Sequence, residues 1–124
     1  MGSEMCIRDS AWKAVSGVSK FGWYDGGTVN VAIDLDFFPR FFMTKAVTHY
    51  NSASWMIWDT ARSGASASGD SMLPSLMANT NNAESSLADD IHLYESGSVK
   101  GVQLRTTNTS SNAGSARYIY IAFA

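Results

Sequence analysis

The sequence predicts an all-β chain: an antiparallel β-sandwich with one long Ser/Asn/Ala-rich loop over about residues 61–89. Three observations carry this. Apolar residues recur at every second position in several separate segments, the period of a strand with one buried face. A 3.6-residue apolar period is almost absent. Clusters of Gly, Asn, Asp and Ser sit between the alternating segments, where tight turns need them. Short strands separated by such turns, with little helix between them, build sandwiches rather than parallel sheets.

Taken in order, TVNVAIDL (28–35) is the first predicted strand, with Val29, Val31, Ile33 and Leu35 on one face and Asn30 and Asp34 on the other. Tyr24–Gly27 before it, YDGG, reads as a turn whose glycines tolerate positive φ. FPRFFMTKAV (38–47) is the second, with Pro39 near its start, where a missing backbone donor does least harm. SASWMIWDT (52–60) is the third, joined to the second by a hairpin connection at 49–52. After the long loop come DIHLYES (90–96) and VKGVQLRT (99–106), joined at 96–98, and then ARYIYIAFA (116–124) behind the polar loop TNTSSNAGS. Within the long loop, Leu76, Ala83, Glu84 and Leu87 could mark a turn or two of helix, but the Asn and Ser around them are poor helix interiors. That segment is expected to be mostly loop, functional or mobile as loops of its length usually are.

Three of the strands are apolar on both faces. Met56 and Trp58 oppose Trp55 and Ile57; Phe41 and Met43 oppose Phe42; Tyr118 and Tyr120 oppose Ile119, Ile121 and Phe123. Leaving a large apolar side chain in water forfeits roughly 1.5–3 kcal/mol, and several such losses rival a whole domain stability of about 5–15 kcal/mol. A covering surface is therefore expected: the long loop, a missing N-terminal part or a neighbouring subunit could supply it, and a homo-oligomer is the expectation taken forward.

Composition narrows the function. A formal charge of −2 with 16% charged residues leaves no basic stripe for phosphate neutralisation, so nucleic-acid binding is not expected. No run approaches the roughly 20 apolar residues of a membrane span, and the longest candidate, FFPRFFM, is interrupted by Pro39 and Arg40, so no membrane insertion is expected. Residues 1–10, MGSEMCIRDS, back-translate from a GTG start to the read-two adaptor of transposase-based sequencing libraries. On that reading they are not native, and 11–124 form a single β-sandwich domain that is a fragment of a longer protein. Cys6, the one cysteine, lies inside that stretch, which removes disulfide frameworks, zinc knuckles and thiol nucleophiles.

Five stretches in order, LDFFPRFFMTKA, WMIWDTAR, LMANTNNAE, GVQLRT and NAGSARYIYIAFA, resemble a domain of tailed-bacteriophage tail-fibre and related virion structural proteins. The resemblance runs from about Gly22 to Ala124. Phe37, Pro39 and Lys45 match its first motif; Trp55, Asp59 and Arg62 the second; Leu76, Asn79, Thr80, Ala83 and Glu84 the third; Gly101 and Leu104 the fourth. Asp36 stands where that pattern has glycine, and Val102 where it has an aromatic residue. The resemblance implies a non-enzymatic virion structural domain of a phage tail, made in the host cytoplasm. Its expected partners are further copies of itself, other tail proteins and a bacterial surface polysaccharide. Two alternatives stay open: part of a tail-spike depolymerase or esterase whose catalysis lies mainly upstream, or a purely architectural oligomerisation module.

For a glycan, Tyr50 and Trp58 near a hairpin end are the candidate stacking residues, against the plainer reading of both as core or interface. Asp59 and Arg62 read as a loop-closing ion pair or cap, Asn112 and Gly114 as turn formers, and Tyr118 and Tyr120 as packing residues whose hydroxyls reach water or a partner. Gly69-Asp70-Ser71 resembles the nucleophile block of GDS-type esterases, and Asp89 to His92 their D-x-x-H pair. The context disagrees: SGASAS rather than an apolar strand precedes the serine, so no catalytic residue is assigned. His49 and His92, the only histidines, have no second ligand at metal-binding spacing, and neither a metal nor a cofactor is expected.

Overall fold

A computed structural model describes residues 13–27, 30–49, 53–85 and 90–124. Two antiparallel sheets pack face to face, as the alternation predicts. The strands are β1 (Ser19–Asp25), β2 (Val31–Asp34), β3 (Phe41–Ala46), β4 (Met56–Asp59), β5 (Leu76–Met77), β6 (Ile91–Ser96), β7 (Val99–Leu104) and β8 (Arg117–Phe123). A single helical turn, α1 (Thr60–Ser63), follows β4. The larger sheet has the order β1-β8-β3-β4-β5 and the smaller β2-β7-β6.

The core lies between the sheets. Tyr24, Phe42, Thr44, Ala46, Met56, Trp58, Tyr118, Tyr120 and Ala122 are buried from the larger sheet. Ile33, Leu93, Ile91, Val102 and Leu104 face them from the smaller one, with Leu35 and Met72 at its margins. Each set is spaced by two, so one register fixes the whole layer. Phe42 stacks on Tyr120 with ring centres 5.7 Å apart, and Tyr24 on Tyr118 at 5.2 Å.

β1 is a strand that the alternation did not reveal. Its inward residues are Lys20, Gly22 and Tyr24, opposite Ala122, Tyr120 and Tyr118, while the apolar Phe21 and Trp23 point outward. The pattern is inverted because the core here is filled by tyrosines from β8: a Cβ on Gly22 would lie 2.9 Å from the Tyr120 hydroxyl. The other strands are shorter than predicted. The 38–47 segment pairs only over 41–46, since Phe37–Arg40 carry the chain from one sheet to the other. Asp36 takes φ +66°, the left-handed conformation that glycine adopts most easily and aspartate tolerates at single positions.

The 61–89 segment is not structureless within its described part. It contains α1 and β5, and it laces both sheets along one side. β5 extends the larger sheet beside β4. Residues 69–72 run antiparallel to β6: Gly69 N donates to Leu93 O at 2.7 Å, Leu93 N to Asp70 O at 2.9 Å and Met72 N to Ile91 O at 2.8 Å. Leu76, in a stretch expected to be mostly loop, lies instead in β5. Edges of sheets leave backbone groups unpaired, and on β6 this strap satisfies Leu93 N, Leu93 O and Ile91 O.

The outward face of the larger sheet is apolar across its width. Phe21 and Trp23 of β1, Ile119, Ile121 and Phe123 of β8, Phe41 and Met43 of β3 and Ile57 of β4 share it by register. Trp23 is 58% and Ile119 38% exposed. Arg117 spreads over the Trp23 ring at 3.9 Å and bonds Asp25 at 2.9 Å.

Candidate functional site

The residues shared with the motifs form structural clamps. Asp59 ends β4 and caps α1: its Oδ1 accepts from Arg62 N at 2.8 Å and its Oδ2 from Arg62 Nε at 2.6 Å. Arg62 Nη1 reaches Glu84 Oε2 at 3.1 Å, and Nη2 reaches the Ile57 carbonyl at 3.5 Å. One guanidinium thus ties β4, the helical turn and residue 84 of the strap. Partial burial would raise the Asp59 pKa, but the hydrogen bonds from Arg62 outweigh it and hold the carboxyl below its usual range. Asn79 adds a further tie, its Oδ1 accepting from Trp55 N at 3.0 Å. The expected ion pair and cap are both present; the recruitment of Glu84 is the part that linear spacing could not supply.

A second clamp holds the 105–116 loop. Asn112 is fully buried; its Nδ2 donates to Thr106 O at 2.8 Å and its Oδ1 accepts from Gly27 N at 3.1 Å. The Tyr118 hydroxyl donates to Thr109 O at 2.8 Å and accepts from Ala113 N at 2.9 Å. Tyr118 is buried, as a packing residue should be, and its hydroxyl is bonded within the chain to the 105–116 loop. The Tyr24 hydroxyl bonds Ser111 O and Thr44 Oγ1. Tyr120 differs: among the described residues its hydroxyl has no hydrogen-bond partner, and burial, then the charge of Asp34, raise its pKa.

Of the two stacking candidates, Tyr50 lies outside the described residues. Trp58 is 0% exposed and packs against Phe42 at 6.0 Å between ring centres. Its ring therefore has no face to offer a sugar. The position near a hairpin end suggested access, but on β4 Trp58 shares the inward parity of Met56.

Ser71 and His92 do come together, as an isolated bridge between the strap and β6. The third member is Asp90; Asp89 lies outside the described residues. Asp90 Oδ1 accepts from Ser71 Oγ at 3.2 Å, His92 Nε2 lies 3.0 Å from Asp90 Oδ2, and His92 Nδ1 is 2.7 Å from the Gly69 carbonyl. A serine nucleophile needs an imidazole nitrogen between itself and the acid. Here the carboxylate stands in the middle and both ring nitrogens are engaged elsewhere, so the cluster is arranged as a latch on the strap rather than as a proton relay to Ser71. Among the described residues no group of three His, Cys, Asp or Glu side chains could hold a metal ion, and no helix is long and apolar enough to cross a membrane.

A cleft of about 240 Å³ lies among the described residues at the end of the sandwich, where Phe38–Arg40, Thr60, Ala65–Ser66 and Leu93 meet. Nothing in the sequence reading had picked out these residues as a group, because they are contributed by four separate segments. No curated protein and no solved structure matches this chain. A family model described as a domain of unknown function, DUF7483, matches residues 8–124. On that match over nearly the whole length, the chain belongs to the DUF7483 family.

Proposed function

We propose that this protein is a non-enzymatic structural domain of a bacteriophage tail fibre that assembles with further copies of itself through the outward face of the larger sheet. The observation that carries the assembly is that apolar face, with Trp23 exposed on the edge strand β1 and Ile119 exposed beside it on β8. The strands of the larger sheet are 7, 7, 6, 4 and 2 residues long; at about 3.3 Å per residue and about 4.8 Å between strands the face measures on the order of 400 Å². Two such faces together remove about 800 Å², a small interface of the kind that assembles in a concentration-dependent way. The tail-fibre assignment rests on the order of the five motifs. The motif residues that form bonds in this fold, Asp59, Arg62, Asn79, Glu84, Asn112 and Tyr118, fix loops to sheets, which suits a load-carrying module better than a catalytic one.

Light-scattering mass of the full chain at several concentrations tests the assembly. A multimer is expected, and the Trp23→Ser/Ile119→Ser double variant is expected to be monomeric with an unchanged melting temperature. A wild-type monomer at every concentration would refute it. Neighbouring genes coding for baseplate, tail-sheath or holin proteins support the virion assignment; a metabolic operon around this gene counts against it.

A further inference from the structure

The cleft at the end of the sandwich has the chemistry of a ligand site. Leu93, Ala65 and Pro39 are buried beneath it, and Phe38, half-buried, is the apolar side chain that reaches its surface, with Lys100 Nζ 4.6 Å from the ring centre. Arg40 and Thr60 stand at the rim on a fixed backbone: Arg40 N donates to Phe123 O at 2.8 Å, Thr60 N to Arg40 O at 3.0 Å, and Gly64 N to Thr60 O at 2.8 Å.

The side chains at that rim are uncommitted. Arg62 is held by Asp59 and Glu84, Arg117 by Asp25, and Arg105 by Gln103. Among the described residues Arg40 alone of the arginines has no hydrogen bond or ion pair from its guanidinium, and the Thr60 hydroxyl is likewise without a partner. The carboxylate bonded to a lining residue, Asp70, is already occupied by the Ser66 and Ala67 amides at 2.9 Å. An open guanidinium fork matches a planar carboxylate through two parallel bonds. A hydroxyl beside an apolar wall matches a ring with one C–H face and a polar edge. The volume of about 240 Å³ lies below the roughly 300–1,000 Å³ of drug-sized sites, which limits the occupant to one small ring.

We propose that this cleft binds a carboxylated pyranose, a uronic-acid residue of a saccharide chain, with its carboxylate on Arg40, a ring hydroxyl on Thr60 and its apolar face toward Phe38. The proposal stands on the cleft and does not depend on assembly through the outward face of the larger sheet. A single such contact is weak, and several copies on one fibre raise the overall avidity.

Amide chemical shifts of the full chain titrated with methyl glucuronide, methyl glucoside and inorganic phosphate test it. The glucuronide is expected to move the Arg40, Thr60, Ala65 and Ser66 amides and to saturate, with the glucoside and phosphate at least about tenfold weaker. Arg40→Gln removes an exposed side chain with no partner, so the variant is expected to keep the wild-type spectrum elsewhere while losing about tenfold or more in glucuronide affinity; Thr60→Val is expected to weaken it less. Equal response to the glucoside, equal response to phosphate, no movement of these amides, or wild-type affinity in Arg40→Gln each overturns the proposal. The light-scattering mass is read separately, so loss of binding and loss of assembly are told apart.

Discussion

Tyr118 and Tyr120 lie two residues apart on the same strand and face, yet removing their hydroxyls is expected to have opposite consequences. In Tyr118→Phe two hydrogen bonds vanish from a residue that is 0% exposed. Thr109 is exposed, so its carbonyl can turn to water and only the net worth of one bond is lost, about 1 kcal/mol. The Ala113 N–H is buried and is left unsatisfied, which costs a further 1–2 kcal/mol or so. The sum, about 2–3 kcal/mol, corresponds to a fall in melting temperature of roughly 8–12 °C for a domain of this size. Tyr120→Phe removes a hydroxyl with no hydrogen-bond partner among the described residues and is expected to change stability by no more than about 0.5 kcal/mol at neutral pH. Urea and thermal unfolding followed by tryptophan fluorescence and circular dichroism measure both. Equal losses in the two variants, or a loss under about 1 kcal/mol in Tyr118→Phe, would refute the account of the 105–116 loop as pinned by that hydroxyl. The pair also separates in alkali. Since the Tyr120 pKa is raised above 10.0 in the folded state, the unfolded phenol ionises first. Its contribution is whole below pH 10 and lost as pH rises through the elevated value. Tyr120→Phe is therefore expected to lose less stability than wild type over that window.

Three other outcomes follow from the fold. The Asp59 pKa is lowered in the folded state, so its contribution is present above the ordinary carboxyl range and lost as pH falls through the depressed value; Asp59→Asn keeps a capping oxygen but loses the ion pair with Arg62 and is expected to be about 0.5–1 kcal/mol less stable at pH 7, with the deficit shrinking in acid, as equilibrium unfolding at pH 7 and pH 3 will measure. Gly101→Ala drives a Cβ into the Ile33 carbonyl and within 3.0 Å of Leu35 N, backbone atoms that cannot rotate away, and is expected to cost about 1–3 kcal/mol; a change below about 0.5 kcal/mol in urea unfolding would show that β2 and β7 can separate more easily than their register implies. At Asp36, with φ +66°, Asp36→Gly is expected to leave the melting temperature within a few degrees of wild type because relief of the left-handed backbone is offset by unfolded-chain entropy, whereas Asp36→Val is expected to lose more than about 1 kcal/mol.

By itself the sequence determined the fold class and the parity of β2. The alternation of Val31, Ile33 and Leu35 with the polar Asp34 on the other face can be satisfied only by a half-buried strand. Local chemistry also sufficed for the Asp59–Arg62 cap, since a carboxylate three residues before an arginine at a strand exit acts within one turn. Tertiary structure alone decided which face of each two-sided strand is inward. Trp58 was equally apolar on either assignment, and only the packing against Phe42 removed it from solvent. β1 escaped notice because its inward face is set by the tyrosines it meets on β8, nearly a hundred residues later in the chain. The same holds for Asp90 beside His92 and Ser71, for Glu84 on Arg62, and for the Arg40–Thr60 rim. Each joins segments whose spacing along the chain carries no information about distance in space, because antiparallel pairing and the strap over the sheet edges, rather than local periodicity, bring them together.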